Sequence, residues 1–191
     1  MSPSFVEQWQ EARRLADVAH SRLVEQGRTV AAAESLTGGL LSALLTEAPG
    51  TSTTFRGGLV VYNTDLKHTL AGVPEADLER YGAVHHVIAE KLAGNVRDRL
   101  AADYGLATTG VAGPGGQDGR PVGEVHVAVA GPGGVRATPQ QFEGTREQIR
   151  ASAVCAALEA LVSALDAVND TGAIDETMAD DNGRTTRTEA G

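Results

Sequence analysis

Ser35 lies in the run Thr29 to Leu45, TVAAAESLTGGLLSALL, where a short apolar stretch breaks into Glu-Ser-Leu-Thr-Gly-Gly ahead of a leucine-rich helical pattern. A hydroxyl at the carboxyl end of a strand stands at the usual address of α/β sites and can serve as a nucleophile. Capping of the next helix by Ser35 or Thr37 is the competing account. Gly38 and Gly39 favour the first, because glycine in a first helical turn costs on the order of 1 kcal/mol relative to alanine. The pair implies that something approaches that backbone closely. No Lys-Ser or Lys-Thr follows the glycines, and the run is not G-x-S-x-G, so neither a Walker loop nor a nucleophile elbow is present.

Lys67 falls in the first or second turn of a helix beginning at Asn63 or Thr64, where the helix dipole disfavours a positive charge. A lysine so placed is biased toward the neutral amine that acts as a base, although a solvated lysine is the common case. Tyr62 ends the preceding strand, which brings its hydroxyl toward Lys67. Residues 110–123, GVAGPGGQDGRPVG, hold six glycines and two prolines in fourteen positions and read as a loop able to present several N–H groups to an anion. Arg146 and Arg150 are four apart on the last helix, hence on one face, and Arg146 sits near its N-terminus, where a phosphate is favoured. His20, His68, His85, His86 and His126 show no metal-ligand spacing, and no G-x-G-x-x-G opens a helix after a strand. Neither a metal nor a dinucleotide cofactor is expected.

The elements that must position these residues follow from periodicity. Phe5, Trp9, Ala12, Ala16, Ala19 and Leu23, with Leu15 alongside, share one face of a first helix that stops at Gly27. A strand over 28–33 and a helix carrying Leu40, Leu41, Leu44 and Leu45 come next. GGLVVY, 57–62, reads as a buried strand. Pro74 starts a short helix to Arg80, and Ile88, Leu92, Val96 and Leu100 stripe a longer one over 86–102. GLATTG returns to strand; Val125, Val127 and Val129 alternate with polar or small neighbours, and Pro132-Gly133-Gly134 turns that strand into another ending near Phe142. Thr145 and Gln148 form a capping box for a last helix with Ile149, Ala153, Ala157, Leu161 and Leu165 on its inner face. The pattern predicts a three-layer α/β/α sandwich with a mixed, mainly parallel sheet and a late antiparallel hairpin.

With 191 residues, one domain over 1–168 is expected, followed by an acidic tail over 169–191 whose composition reads as disordered. A net charge of −9 argues against nucleic acid, which needs a basic face. No signal-like segment and no apolar run near twenty residues stand out, so a cytoplasmic protein without a membrane partner is expected. Cys155, the one cysteine, reads as a small buried hydrophobe inside a helix.

Taken together, AAAESLTGG, FRGGLVVYNTDLK, GAVH, TTGVAGPGGQDGRPVGEVHVA and FEGTREQIR closely resemble the CinA C-terminal domain family, the nicotinamide-nucleotide amidohydrolases, from about Val6 to Leu165. The resemblance implies hydrolysis of the carboxamide of nicotinamide mononucleotide to nicotinic acid mononucleotide and ammonia, with no cofactor or metal, in a homo-oligomer. It puts the nucleophile on Ser35, the base on Lys67 and a supporting catalytic role on Tyr62. Thr109, Gly110, Ala112, Gly113 and Arg146 fall on substrate-binding positions. Amides at the Thr37-Gly38-Gly39 turn are the candidates for holding the oxyanion. His85 stands where the family block has serine; if that serine caps the next helix, histidine weakens the cap, and if it borders the pocket, the accepted substrate differs. The fused N-terminal domain of longer relatives has no counterpart, so the stand-alone form is expected. Competing readings are an amidase or lactamase of the same chemistry on another small amide, a silent nucleotide-binding domain, and an interaction protein working through the tail.

Overall fold

The computed structural model of the chain describes residues 4–178. Five strands form one sheet in the order β2-β1-β3-β4-β5: β1 (Val30–Glu34), β2 (Phe55–Val60), β3 (Tyr104–Gly110), β4 (Glu124–Gly131) and β5 (Gly134–Gln141). The first three run parallel, and β3/β4 and β4/β5 pair antiparallel. The mixed sheet and its late hairpin match the expected architecture. β1 is wholly buried because it is flanked by strands on both sides and by helices on both faces. Its alternation sorts residues between two cores: Val30 and Ala32 join one, Ala31 and Ala33 the other.

Helices α1 (Phe5–Glu25), α2 (Leu40–Leu45) and α6 (Arg146–Met178) cover the first face, and α5 (His86–Arg99), with α3 (Thr64–Thr69) and α4 (Glu75–Tyr81), the second. α1 starts at a capping box between Ser4 and Glu7. Its buried stripe holds Ala12, Leu15, Ala16, Ala19 and Leu23. Phe5, expected on that stripe, is 40% exposed and stacks on Trp9 at 6.0 Å. α6 begins as read: the Thr145 N–H donates to Gln148 Oε1 at 2.8 Å, and the Gln148 N–H to Thr145 Oγ1 at 3.3 Å. Ile149, Ala153, Ala157, Leu161 and Leu165 are all buried against α1 and the sheet. Burying each of the larger side chains stabilises the fold by about 1.5–3 kcal/mol.

Arg146–Val168 is long and apolar enough to cross a membrane by length and composition. In the fold it is the central helix of the first core. The helix continues to Met178, past the domain end that composition places at 168; the remainder of the acidic segment lies outside the described residues.

β2 departs from the sequence reading. It was expected as a buried strand over 57–62, but it spans Phe55–Val60 and alternates half-buried with exposed residues, because it is an edge strand paired only with β1. Gly58 is required there for packing: a Cβ would lie 2.2 Å from Ser42 Oγ. The chain runs from β1 to β2 on one side and then to β3 on the other. The carboxyl ends of these three parallel strands therefore open on one edge at a switch point, where α/β sheets hold their ligands.

Candidate active site

Ser35 directly follows β1 and Lys67 lies in α3, and the two meet. Lys67 Nζ donates to Ser35 Oγ at 3.1 Å and to the Val61 carbonyl at 3.0 Å. Both side chains are buried, Lys67 to 1% exposure. Burial lowers the Lys67 pKa from 10.5 to about 8, against an opposing pull from nearby Asp65. The direction agrees with the sequence reading. The dominant cause is desolvation, where helix position had been the argument, and Asn63 precedes α3 without a side-chain capping bond.

The turn after Ser35 is held from three sides. Glu34, fully buried, accepts hydrogen bonds from the N–H groups of Gly39, Leu41 and Ser42 and from the Ser42 hydroxyl, at 2.6–3.1 Å. The Thr37 and Thr108 hydroxyls share a buried hydrogen bond of 2.8 Å that ties the turn to β3. Arg150 reaches across from α6: Nε donates to the Leu36 carbonyl at 3.0 Å and a terminal nitrogen to the Thr37 carbonyl at 2.8 Å. Gly38 and Gly39 both adopt positive φ, +59° and +97°, which explains the glycine pair. A Cβ at Gly38 would also sit 3.4 Å from the Arg150 guanidinium.

These contacts correct the expected oxyanion donors. The Gly38 N–H is spent on the Ser35 carbonyl at 3.1 Å and the Gly39 N–H on Glu34. Thr37, Gly38 and Gly39 also do not line the cleft. The turn amides without a partner among the described residues are those of Leu36 and Thr37.

A cleft of about 420 Å³ opens over Ser35 and Lys67. Thr109, Gly110, Ala112, Gly113 and Arg146 all line it, as expected for substrate-binding positions. The Thr109 hydroxyl is committed to the Ala83 carbonyl at 2.7 Å, so that side chain supports the wall. Gly110 is needed where β3 meets β4, since a Cβ would approach the Glu124 carbonyl to 2.6 Å. Arg146 bridges the mouth, donating to the Gly113 carbonyl and, at 3.0 Å, to the Tyr62 hydroxyl. Tyr62, 54% exposed, lines the same cleft as Lys67 but forms no hydrogen bond with it or with Ser35; its hydroxyl accepts from Arg146. Arg150 and Arg146 thus share a helix face but serve different walls.

His85 caps α5, its Nδ1 accepting from the Val87 N–H at 3.2 Å, and it does not line the cleft. Burial, with His86 and Arg120 nearby, holds its pKa below the ordinary imidazole value. Among the described residues, no group of three or more His, Cys, Asp or Glu could hold a metal ion. Cys155 is half-buried, with Sγ donating to the Gln8 carbonyl and burial raising its pKa to about 11. Glu34 and the role of Arg150 escaped the sequence reading. The available signal was an acid at a strand end followed at five, seven and eight positions by the amides of a helix start.

An α/β sheet that closes a serine onto a buried lysine at its switch point defines the class of protein. The CinA C-terminal domain model matches residues 12–165. The chain is 48% identical over 145 residues to a CinA-like protein of Frankia casuarinae, covering 76% of this chain and 34% of that one. A CinA-like protein of Gloeobacter violaceus is 46% identical over 150 residues, covering 77% and 35%. The chain thus spans about a third of the length of these curated relatives. Among solved structures, the competence/damage inducible protein CihA from Agrobacterium tumefaciens superposes with a TM-score of 0.78 at 36% identity, covering 82% of this chain and 96% of that one. A competence or damage-inducible protein from Enterobacter asburiae gives 0.78 at 33%, covering 81% and 98%. The chain belongs to the CinA C-terminal domain family.

Proposed function

We propose that this chain is an amidohydrolase that converts the carboxamide of nicotinamide mononucleotide to the carboxylate of nicotinic acid mononucleotide, releasing ammonia. The reading is carried by one observation: the 3.1 Å contact between a buried Ser35 hydroxyl and a Lys67 amine whose pKa is lowered to about 8. About a tenth of such a lysine is neutral at pH 7. In that form Nζ keeps one N–H on the Val61 carbonyl and turns its lone pair to the Ser35 hydroxyl.

Lys67 takes the Ser35 proton as Oγ attacks the amide carbon, and the resulting ammonium then protonates the departing nitrogen. Collapse releases ammonia and leaves an acyl-serine. Water, deprotonated by Lys67, attacks the acyl carbon; Oγ leaves with the proton, and the carboxylate product departs. Since Ser35 and Lys67 touch directly, Tyr62 is not needed as a relay and works with Arg146 at the cleft mouth. Arg146 and the loop around Gly113 hold the phosphate, so that remote binding energy aligns the amide.

The test is ammonia release from nicotinamide mononucleotide by wild type, Ser35→Ala and Lys67→Met. Wild type turns over and each variant loses about 10³-fold or more. Equal behaviour of all three overturns the reading.

A further inference from the structure

We propose that Arg150 is a positioning residue that polarises the free amide of Leu36, beside the nucleophile, as a donor to the oxyanion of the reaction. The inference rests on the serine-lysine reading above and extends it to a side chain that does not line the cleft.

In a trans peptide the C=O and the N–H of one plane point in opposite directions, so fixing the oxygen fixes the hydrogen. The only cis bond among the described residues is Gly113-Pro114, outside this turn. Arg150 Nε holds the Leu36 oxygen, and that same plane carries the Thr37 N–H. A second route is longer. The Arg150 terminal nitrogen holds the Thr37 oxygen, whose plane carries the Gly38 N–H; that N–H holds the Ser35 oxygen, whose plane carries the Leu36 N–H. Both routes start on one guanidinium and end on an amide with no partner among the described residues, and the longer one ends on the residue that lines the cleft, Leu36.

Hydrogen bonds in series polarise one another, and a charged donor at the head of the chain strengthens the effect. The Leu36 N–H faces away from the interior of the turn, because its plane's oxygen is turned inward to Gly38. Leu36 itself lines the cleft beside Ser35. An anion forming on a carbonyl attacked by Ser35 therefore meets the Leu36 N–H, which is joined to the Arg150 cation through two hydrogen bonds in series. Glu34 holds the far side of the turn through Gly39, Leu41 and Ser42, so the planes have little freedom to rotate away. Donors fixed before reaction cost no reorganisation when charge develops, which is the condition for oxyanion stabilisation.

The experiment measures phosphonylation of Ser35 by a small fluorophosphonate, read by intact mass, in wild type, Arg150→Met and Arg150→Lys. The reagent places developing negative charge on an oxygen in the same position, whichever amide is the natural substrate. Wild type is labelled at Ser35, Arg150→Met at a rate lower by about 10-fold or more, and Arg150→Lys, which restores a charged donor, falls between. Equal rates in wild type and folded Arg150→Met overturn the proposal. Should Arg150→Met fail to fold, Arg150→Lys at wild-type rate overturns it instead. Labelling without ammonia release from nicotinamide mononucleotide removes only the substrate assignment, whereas no labelling of wild type overturns both proposals. A companion readout compares nicotinamide mononucleotide with its thiocarboxamide, since sulfur is the poorer acceptor. Loss of the Arg150 chain lowers kcat for the oxygen amide, leaves KM nearly unchanged and narrows the oxygen-to-sulfur ratio. A residue that merely supports the fold lowers both substrates equally.

Discussion

The wall of the cleft that carries Ser35 is held by buried polar groups, whereas the wall formed by residues 110–123 is held by exposed ones. On the first side stand Glu34, Thr37, Thr108 and Lys67, each at 0–1% exposure. On the second, the exposed Arg146 donates to the Tyr62 hydroxyl and to the Gly113 carbonyl. Buried polar contacts are strong in place and costly to break, while exposed ones exchange readily with water. On the proposed function, the difference would put chemistry on the wall held by buried contacts and ligand capture on the wall held by exposed ones.

Kinetics breaks this contrast most directly. Lys67→Met is expected to lower kcat by about 10³-fold or more, while Arg146→Ala raises KM by about 10-fold with a smaller effect on kcat. Steady-state ammonia release separates the two, and matching effects from both variants would erase the division. Next in size is stability. Glu34→Ala leaves one buried and two partly buried amides without their acceptor and is expected to cost about 3 kcal/mol by urea unfolding. Gly115→Ala in the loop, where a Cβ meets nothing within 4 Å, changes stability by less than about 0.5 kcal/mol.

Lys67 sharpens the comparison through pH. Its base form gains population up to about pH 8, so kcat/KM rises from pH 6 and levels off near that value. A pH-independent rate over this range would remove Lys67 as the base. Stability moves in the same sense. The folded pKa lies below the unfolded value, so between pH 8 and 10.5 the unfolded chain binds the extra proton and stability increases with pH. Below about pH 8 the cost of burying the ammonium is felt in full, on the order of 3 kcal/mol. Lys67→Met, which fits the same apolar space, is therefore expected to unfold at a higher temperature than wild type at pH 7 while losing activity. The smallest effect belongs to Tyr62→Phe: with no hydrogen bond to Ser35 or Lys67, it is expected to shift KM by less than about 5-fold through Arg146, with kcat nearly unchanged. A collapse of kcat in that variant would return the phenol to the chemistry.

Much of this was legible one element at a time. The capping box of Thr145 and Gln148 and the inner face of α6 depend on residues three and four apart, and both were read correctly. The Ser35 turn was legible because two consecutive glycines at a helix start are unfavourable without a reason. Edge and centre were not legible for β2, since GGLVV is apolar enough for either and only pairing decides. Arg146 and Arg150 looked alike because helical spacing sets a shared face and not the contact made by each guanidinium.

By itself the sequence determined the helices, the strand alternation and the residue types at the strand ends, because those depend on free energies felt within a few positions. Tertiary structure decided that Lys67 meets Ser35 across 32 positions and that Arg150 clamps Leu36 across 114. It also decided that burial, more than the start of a helix, lowers the amine's affinity for its proton. Desolvation is a property of everything packed around a group, and no stretch of neighbouring residues contains it.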